Sequence, residues 1–182
     1  PTSWMSMFIY LVMAFWAAIG LAFNTRLSGM MAQALAPTGA LMAFLSLWTG
    51  ALWGKPMWGT WWVWDARLTS ELILLFLYIG YMALVAAIDD PRRADKAGGI
   101  LLLVGVVNIP IIYFSVKWWN TLHQGSSVNL TKSSMAEIML WGMLLMALAF
   151  WMYAIAVALA RVRTLMLERE RNAEWVRKML SE

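Results

Sequence analysis

A run of tryptophans near the middle of the chain is the most unusual chemical feature of this sequence. Five of the 13 tryptophans fall within the twelve positions 53–64, just before an aspartate and an arginine. Clustered indoles would form a flat, apolar, polarisable surface suited to a large planar ligand, and their N–H groups can orient its polar edge. An aromatic belt at the headgroup level explains one or two indoles per span end, but not five in one loop. We therefore predict a binding site formed by Trp53, Trp58, Trp61, Trp62, Trp64, Asp65 and Arg67.

A second segment has the same character and adds an imidazole. Trp118 and Trp119 are followed by His123, the only histidine of the chain. A lone histidine in a loop is usually a solvated polar residue. An aromatic wall beside an imidazole, however, is what a protein needs to hold haem, whose iron takes an axial histidine. We predict that Trp118, Trp119 and His123 bind haem with His123 on the iron, and that Lys55, Arg67 and Lys117 are the candidate cations for its propionates.

The composition places most of the chain in a membrane. Hydrophobic residues make up 62% of the 182 residues and charged residues 13%, whereas a soluble domain is about half apolar and about a quarter charged. The chain has no cysteine, which excludes disulfides, thiolate metal sites and a C-x-x-C-H haem attachment. The net charge is +4. The positions of the basic residues suggest that they set the orientation of the spans and do not form a surface for an acidic partner. We therefore expect membrane lipid, and no nucleic acid, among the partners.

Five stretches are apolar and long enough to cross a bilayer, which takes about 20 residues of helix. Pro37 and Pro110 lie inside two of them, where prolines are tolerated and mark kinks. The sequence predicts an all-α polytopic membrane protein with five transmembrane helices in this chain and two tryptophan-rich loops, residues 54–67 and 117–134. The predicted spans are residues 3–23, 30–53, 68–88, 97–116 and 135–160.

Basic residues are distributed unequally between the two ends of these spans. Because cytoplasmic loops are enriched in lysine and arginine, the richer side is predicted to be cytoplasmic and both tryptophan loops to face outward. Residues 1–160 then form the transmembrane domain, and residues 161–182 form a charged cytoplasmic tail, helical and continuous with the last span. The richer side has Arg26, Arg92, Arg93, Lys96, Arg161, Arg163, Arg169, Arg171, Arg177 and Lys178, and the other has Lys55, Arg67, Lys117 and Lys132.

The first loop resembles a known signature. Its segment WGTWWVWDARLT, residues 58–69, is similar to the defining loop of the WWD family of haem-handling membrane proteins. The flanking GKPM (54–57) and the later WWNTLHQG (118–125) narrow the resemblance to the cytochrome c maturation protein C (CcmC) family, over nearly the whole chain. By position, His123 matches the family's axial haem ligand.

The resemblance implies a function and partners. Members present haem on the periplasmic face of the bacterial inner membrane and help to load it onto the haem chaperone CcmE, which is a role in haem transport rather than an enzymatic one. The implied partners are the ABC-transporter subunits CcmA and CcmB and the small membrane protein CcmD. Members also have one further span and a histidine upstream of the residues that begin here at Pro1, so we expect six spans and a second axial histidine in the full protein.

Three polar residues have roles that the sequence leaves open. Asp65 either caps the N-terminus of the third helix or orients the indole N–H groups or the histidine at the haem edge. Glu71 is an ionisable group inside the apolar zone, and we favour an ion pair with Arg67, four residues earlier. Asn108 either bonds carbonyls freed by Pro110 or lines a path for haem.

Two other classes of function compete with haem handling. The chain could be a membrane transporter whose indoles are only interfacial anchors, or a structural subunit that docks partners. Transporters usually have internal repeats and charges at mid-membrane, and here only Glu71 and Asn108 are near candidates. The segment Gly54-Lys55-Pro56 superficially resembles a phosphate loop, but it has proline where Ser or Thr must bind magnesium, so we expect no nucleotide site.

Overall fold

The computed structural model describes residues 2–119, 123 and 135–176, and these residues form six helices and no strand. Five membrane-crossing segments result, because the fourth and fifth helices follow one another in a single span, residues 91–118. The prediction of an all-helical membrane protein with five spans is confirmed. The helices are α1 (Thr2–Phe23), α2 (Arg26–Trp58), α3 (Ala66–Ala86), α4 (Pro91–Gly105), α5 (Asn108–Trp118) and α6 (Glu137–Arg169).

Two helices extend well beyond the predicted spans. The second helix continues from the predicted end at position 53 to Trp58 and ends at Gly59, whose backbone is left-handed with φ of 76°. Its last residues are polar enough to lower the hydropathy, but they remain helical. The first tryptophan loop is therefore shorter than predicted, and Trp53 and Trp58 lie on the helix itself. The last helix runs without a break to Arg169, in agreement with the predicted helical continuation of the last span, while the division into membrane domain and tail stays a prediction.

The fourth span is divided by a local break before its proline. Pro110 has no N–H, and its ring clashes with the carbonyl of the residue four positions earlier. That carbonyl belongs to Val106, and it accepts instead from the Ile109 N–H at 3.0 Å. At the other end of the span, Asp90 caps α4 by accepting from the N–H groups of Arg92 and Arg93 at 2.8 and 2.9 Å. This cap starts the helix at Pro91, six residues before the predicted span.

The core lies between α1, α2, α3 and the fourth span. Small residues on α2 let neighbouring helices approach closely, as is common in membrane bundles, and a Cβ on Gly39 would overlap the Tyr78 ring. The Tyr78 hydroxyl donates to the Ser6 carbonyl at 2.7 Å and so joins α3 to α1. By contrast, α6 is mostly exposed and buries only Ala154, Ala158 and Val162. The fully buried side chains include Tyr10, Met13, Met42, Leu74, Tyr78, Leu102 and Ile112.

Candidate functional site

Asp65 connects the first tryptophan loop to the second. It is the N-cap of α3, and its Oδ1 accepts from the Leu68 N–H at 2.7 Å. Its Oδ2 lies 2.8 Å from Nδ1 of His123. The two roles that the sequence left open for Asp65 are therefore filled together, one by each carboxylate oxygen. The contact also places the two tryptophan loops at the same end of the bundle.

An indole packs against the histidine that Asp65 holds. The rings of Trp58 and His123 meet edge to face, with centroids 4.8 Å apart, and Trp53 meets Trp58 in the same way at 5.3 Å. A carboxylate bonded to Nδ1 fixes the tautomer of an imidazole, turns its ring and makes its other nitrogen, Nε2, more basic. Trp53, Trp58, Asp65 and His123 thus form one continuous group, which we call the outer cluster.

Three more indoles of the first loop lie beside the outer cluster, and two of them have large exposed faces. Trp61 is 55% exposed and Trp64 75%. The Trp62 and Trp64 rings meet edge to face at 5.4 Å, and the Lys55 ammonium lies over Trp61 at 5.8 Å. Because the pairs are edge to face, the indoles form several facets and not the single flat surface that the sequence suggested. The buried Nε1–H of Trp62 has no hydrogen-bond acceptor within the part of the chain that the structure describes.

A cavity of about 260 Å³ opens inward from the outer cluster, between α1, α2 and α3. His123 and Trp53 line its outer part, and Arg67 and Glu71 line it from α3. Neither an ion pair nor a hydrogen bond from the Arg67 side chain is present among the described residues. The cavity therefore combines a candidate metal ligand, an apolar ring and an unpaired cation. Its other lining residues are Ser3, Ser46, Leu47, Thr49, Gly50 and Leu68.

The described tryptophans of the second loop pack along their own helix. Trp118 stacks on Phe114 with a centroid distance of 5.1 Å and meets Trp119 at 5.9 Å. The Lys117 ammonium lies over the Phe114 ring at 5.7 Å. These contacts extend the aromatic surface at the end of α5 but do not join it to the outer cluster. The rest of the predicted second loop, positions 120–122 and 124–134, lies outside the described residues, as do residues 177–182 of the predicted tail.

One expectation about a polar residue inside the spans is wrong, and one of the two alternatives left open for another is excluded. Glu71 makes no ion pair with Arg67, because its oxygens are bonded instead to the hydroxyls of Ser3 at 2.9 Å and Ser6 at 3.0 Å. Asn108 does not bond a carbonyl freed by Pro110 in its own helix. Its amide donates across the bundle to the Ser70 carbonyl of α3 at 2.9 Å. In both cases, a partner on another helix replaces a nearer one along the chain.

Sequence reasoning missed the serines that meet Glu71. Ser3 and Ser6 are three residues apart, so they share a face of α1. Two hydroxyls on one face of an apolar span usually bond a polar group on a neighbouring helix. This pattern could have indicated a carboxyl partner for α1, and Glu71 was the obvious candidate.

Comparison with known proteins places the chain in a family. Residues 1–177 match the family model of CcmC, described as heme exporter protein C. The chain belongs to the CcmC family. Heme exporter protein C of Escherichia coli strain K12 is 48% identical over 183 residues, which cover 99% of this chain and 73% of that protein. The Haemophilus influenzae protein of the same name is 49% identical over 178 residues, covering 97% of this chain and 72% of the relative.

The CcmC match extends to a mitochondrial relative. A ccmC-like mitochondrial protein of cytochrome c biosynthesis from Marchantia polymorpha is 46% identical over 129 residues, covering 71% of this chain and 54% of the relative. CcmC proteins are components of membrane export and not enzymes. The resemblance noted in the tryptophan loop is thus confirmed over nearly the whole chain, and this CcmC family member is a multi-pass membrane protein.

Proposed function

We propose that this protein binds haem at the outer cluster and passes it to a haem chaperone for c-type cytochrome biogenesis. The observation that supports this most strongly is the contact of Asp65 with His123, with the Trp58 indole against the imidazole ring. Because the carboxylate engages Nδ1, Nε2 is the nitrogen that would ligate the haem iron. Haem export is also what the names of the CcmC relatives describe.

The surroundings of His123 fit the chemistry of haem as a cargo. Exposed indole faces suit the porphyrin plane, and the Arg67 guanidinium suits a propionate. The orphaned Nε1–H of Trp62 is a donor that a ligand oxygen would satisfy. Within the described ranges no three metal-ligating side chains converge, so the porphyrin itself would supply most of the iron's ligands. The proposed haem-binding residues are Trp53, Trp58, Trp61, Trp62, Trp64, Asp65, Arg67, Trp118, Trp119 and His123.

The proposed site lies on the periplasmic side of the bacterial inner membrane. Ten of the basic residues fall at the opposite end of the spans and four at the end of the tryptophan loops, and lysine and arginine favour the cytoplasmic side. In this orientation the outer cluster faces the periplasm and the tail, residues 161–182, lies in the cytoplasm. Haem would then be offered outside the membrane, where c-type cytochromes acquire it.

The proposed partners follow from family membership and from the site's position. CcmE is the proposed acceptor of the haem, and CcmA, CcmB and CcmD are proposed to form an export complex with this protein. The segment Gly54-Lys55-Pro56 has proline where a phosphate loop needs Ser or Thr, so we assign any ATP-driven step to another subunit. The exposed rings of Trp61 and Trp64 are a surface that such an acceptor could cover.

Absorption spectroscopy of the purified full-length protein tests the proposal. We expect a Soret band from bound haem, and a haem adduct on CcmE when the two proteins are produced together. His123→Ala should remove the adduct and weaken the band by about tenfold or more, because it removes an axial ligand. Ser126→Ala, a change in the same loop, should leave both unchanged. Absence of haem from the wild-type protein, or an unaffected His123→Ala variant, would refute the proposed function.

A further inference from the structure

Glu71 is a buried carboxyl group in the wall of the cavity that leads to His123. It is 4% exposed and lies one helical turn further into the membrane than Arg67, which lines the same cavity. An ionisable group inside a span is costly and is usually retained for a function. Neither the haem-binding residues nor the helix caps described above account for it.

Three oxygen–oxygen contacts surround the Glu71 carboxyl group, and a hydrogen is available for each of them when that group is protonated. Ser3 Oγ donates to Oε2 at 2.9 Å. Ser6 Oγ has one hydrogen but faces two acceptors, the Ser3 carbonyl at 2.8 Å and Oε1 of Glu71 at 3.0 Å. With a proton on Oε1, Glu71 donates to Ser6, Ser6 donates to the Ser3 carbonyl, and Ser3 donates to Oε2. Each hydrogen then has its own acceptor, so the geometry fits the neutral acid.

The charges in the cavity also require a protonated Glu71 when a ligand carboxylate enters. Arg67 is the cation that lines the cavity, and Glu71 does not pair with it in the described residues. A ligand carboxylate at Arg67 would share a small, poorly solvated space with a second carboxylate if Glu71 were ionised. Two carboxylates in one such site cannot both stay ionised without a large cost, so one of them takes up a proton.

We propose that Arg67 and Glu71 form a subsite for one haem carboxylate, and that occupying it requires a proton on Glu71. Arg67 pairs with the ligand carboxylate. At a pH where Glu71 is ionised in the empty site, the proton comes from the aqueous solution outside, adds to Oε1 of Glu71 and returns to solution when the ligand leaves. Haem binding and proton uptake are thus coupled, and loss of the proton favours release. The inference rests on the proposed haem-binding function and assigns a role to Glu71 within it.

Several other titratable or polar groups lie around Glu71, and some of them line the cavity. Helix α3 contributes Arg67 and Tyr78, and α1 contributes Tyr10, whose ring packs against Tyr78. The two tryptophan loops contribute Asp65 and His123, which bond each other. Helix α2 offers the hydroxyls of Ser46 and Thr49, and α5 offers the amide of Asn108. Within this set, Glu71 is the carboxyl group that is held by hydroxyls alone.

The coupling fixes the sign of the pH dependence. Because binding takes up a proton, haem affinity falls as the pH rises, by at most about tenfold per pH unit for one proton. In Glu71→Gln the amide can donate to Ser6 and accept from Ser3, so this variant resembles the protonated acid at every pH. It should bind haem as tightly as the wild type at low pH and more tightly at high pH.

The experiment is a titration of the full-length protein with ferric protoporphyrin IX between about pH 6 and about pH 9, followed by the Soret band. The haem affinity of the wild type should fall with rising pH. The haem affinity of Glu71→Gln should fall less steeply, by up to about tenfold per pH unit. A second probe needs no variant, since the dimethyl ester of the same porphyrin has no ionised carboxylate. The affinity of the wild type for this ester should depend on pH as weakly as the affinity of Glu71→Gln for haem.

The outcomes separate this inference from the proposed function. Equal slopes for the wild type and Glu71→Gln, or equal slopes for haem and its dimethyl ester, would overturn the coupling while leaving haem binding intact. Failure of the wild type to bind haem at any pH would overturn both. A shallow slope confined to the variant and to the ester would support the subsite.

Discussion

Two aspartates join distant parts of the chain at opposite ends of the bundle. Asp65 lies at the end of the bundle with the outer cluster, here called the outer end, where it accepts from the Leu68 N–H and contacts His123. Asp95 lies at the other end, here called the inner end, where it accepts from both terminal Arg169 nitrogens at 2.8 and 2.9 Å and from the Gln33 amide at 3.0 Å. Both carboxylates are mostly buried, with side chains 6% and 19% exposed. The residue type is the same, but Asp65 joins two parts of the chain and Asp95 joins three, and the partners differ.

The partner decides what each contact can do. Arginine is always charged, and its planar fork matches a carboxylate in a two-point contact, so Asp95 ties the end of α6 to the bundle permanently. Histidine has two distinct ring nitrogens, and a carboxylate on one of them prepares the other for a metal. The neighbourhoods differ accordingly, because the outer cavity is about 260 Å³ and bordered by an indole, whereas the inner one is about 70 Å³. We therefore propose that the outer end binds a ligand and that the inner end serves for attachment.

Removal of the three loop indoles should have the largest effect on the outer end. Replacing Trp61, Trp62 and Trp64 with Ala together should lower haem affinity by about a hundredfold or more, because each aromatic contact contributes about 1 kcal/mol beyond its buried area. The matched control is Trp141→Ala, an exposed tryptophan on α6. Haem titration of membrane-inserted protein is the measurement. If the triple variant and the control behave alike, the indoles are only interfacial anchors.

Exchanging each aspartate for asparagine should have opposite effects at the two ends. Asp65→Asn should weaken haem binding by about ten- to a hundredfold, as loss of a ligand's supporting carboxylate typically does, with little change in unfolding because asparagine also caps helices well. Asp95→Asn should lower the free energy of unfolding by about 2 kcal/mol, since it weakens charged hydrogen bonds, and leave haem affinity unchanged. Haem titration and denaturant unfolding of both variants decide this. Loss of haem binding in Asp95→Asn would contradict the division of roles.

Hydropathy was enough to predict the number of spans but not the ends of the helices. Residues 54–58 are poorly hydrophobic, yet they remain helical and extend the second helix to Trp58. The last helix reaches Arg169 because Asp95 pairs with that arginine. A kink was expected at Pro110, and the structure shows that the Val106 carbonyl accepts there from the Ile109 N–H. Boundaries of this kind depend on contacts with other helices, which hydropathy does not contain.

The members of the site were easier to predict than their contacts. Trp53, Trp58, Asp65 and His123 were grouped by residue type, and the structure brings them together. The pairing of Glu71 with two serines of α1 was not predicted, because the sequence favoured a partner one turn away on the same helix. Residue types reveal which chemistry is present, whereas the choice between a near and a distant partner depends on helix packing. Haem binding by the grouped residues remains a prediction.

The smallest expected effect concerns the glycine that starts the first tryptophan loop. Gly59 has φ of 76°, and its N–H donates to the Lys55 carbonyl at 3.0 Å to end α2. No atom lies within 4 Å of a Cβ added there, so Gly59→Ala introduces backbone strain without a clash. It should lower the free energy of unfolding by about 1 kcal/mol and reduce haem affinity a few-fold, because the indoles that follow would shift.

Gly80→Ala is the matched control for this change. Gly80 lies inside α3, and an added Cβ also meets no atom within 4 Å, but its backbone is helical. Alanine there should leave haem affinity unchanged and stabilise the protein by about 0.5 kcal/mol, because it restricts the unfolded chain. Denaturant unfolding and haem titration of the two variants measure both effects. Equal haem affinities would mean that the outer cluster tolerates movement of its loop, and the ligand surface would then depend on Trp53 and Trp58 of α2 more than on the loop indoles.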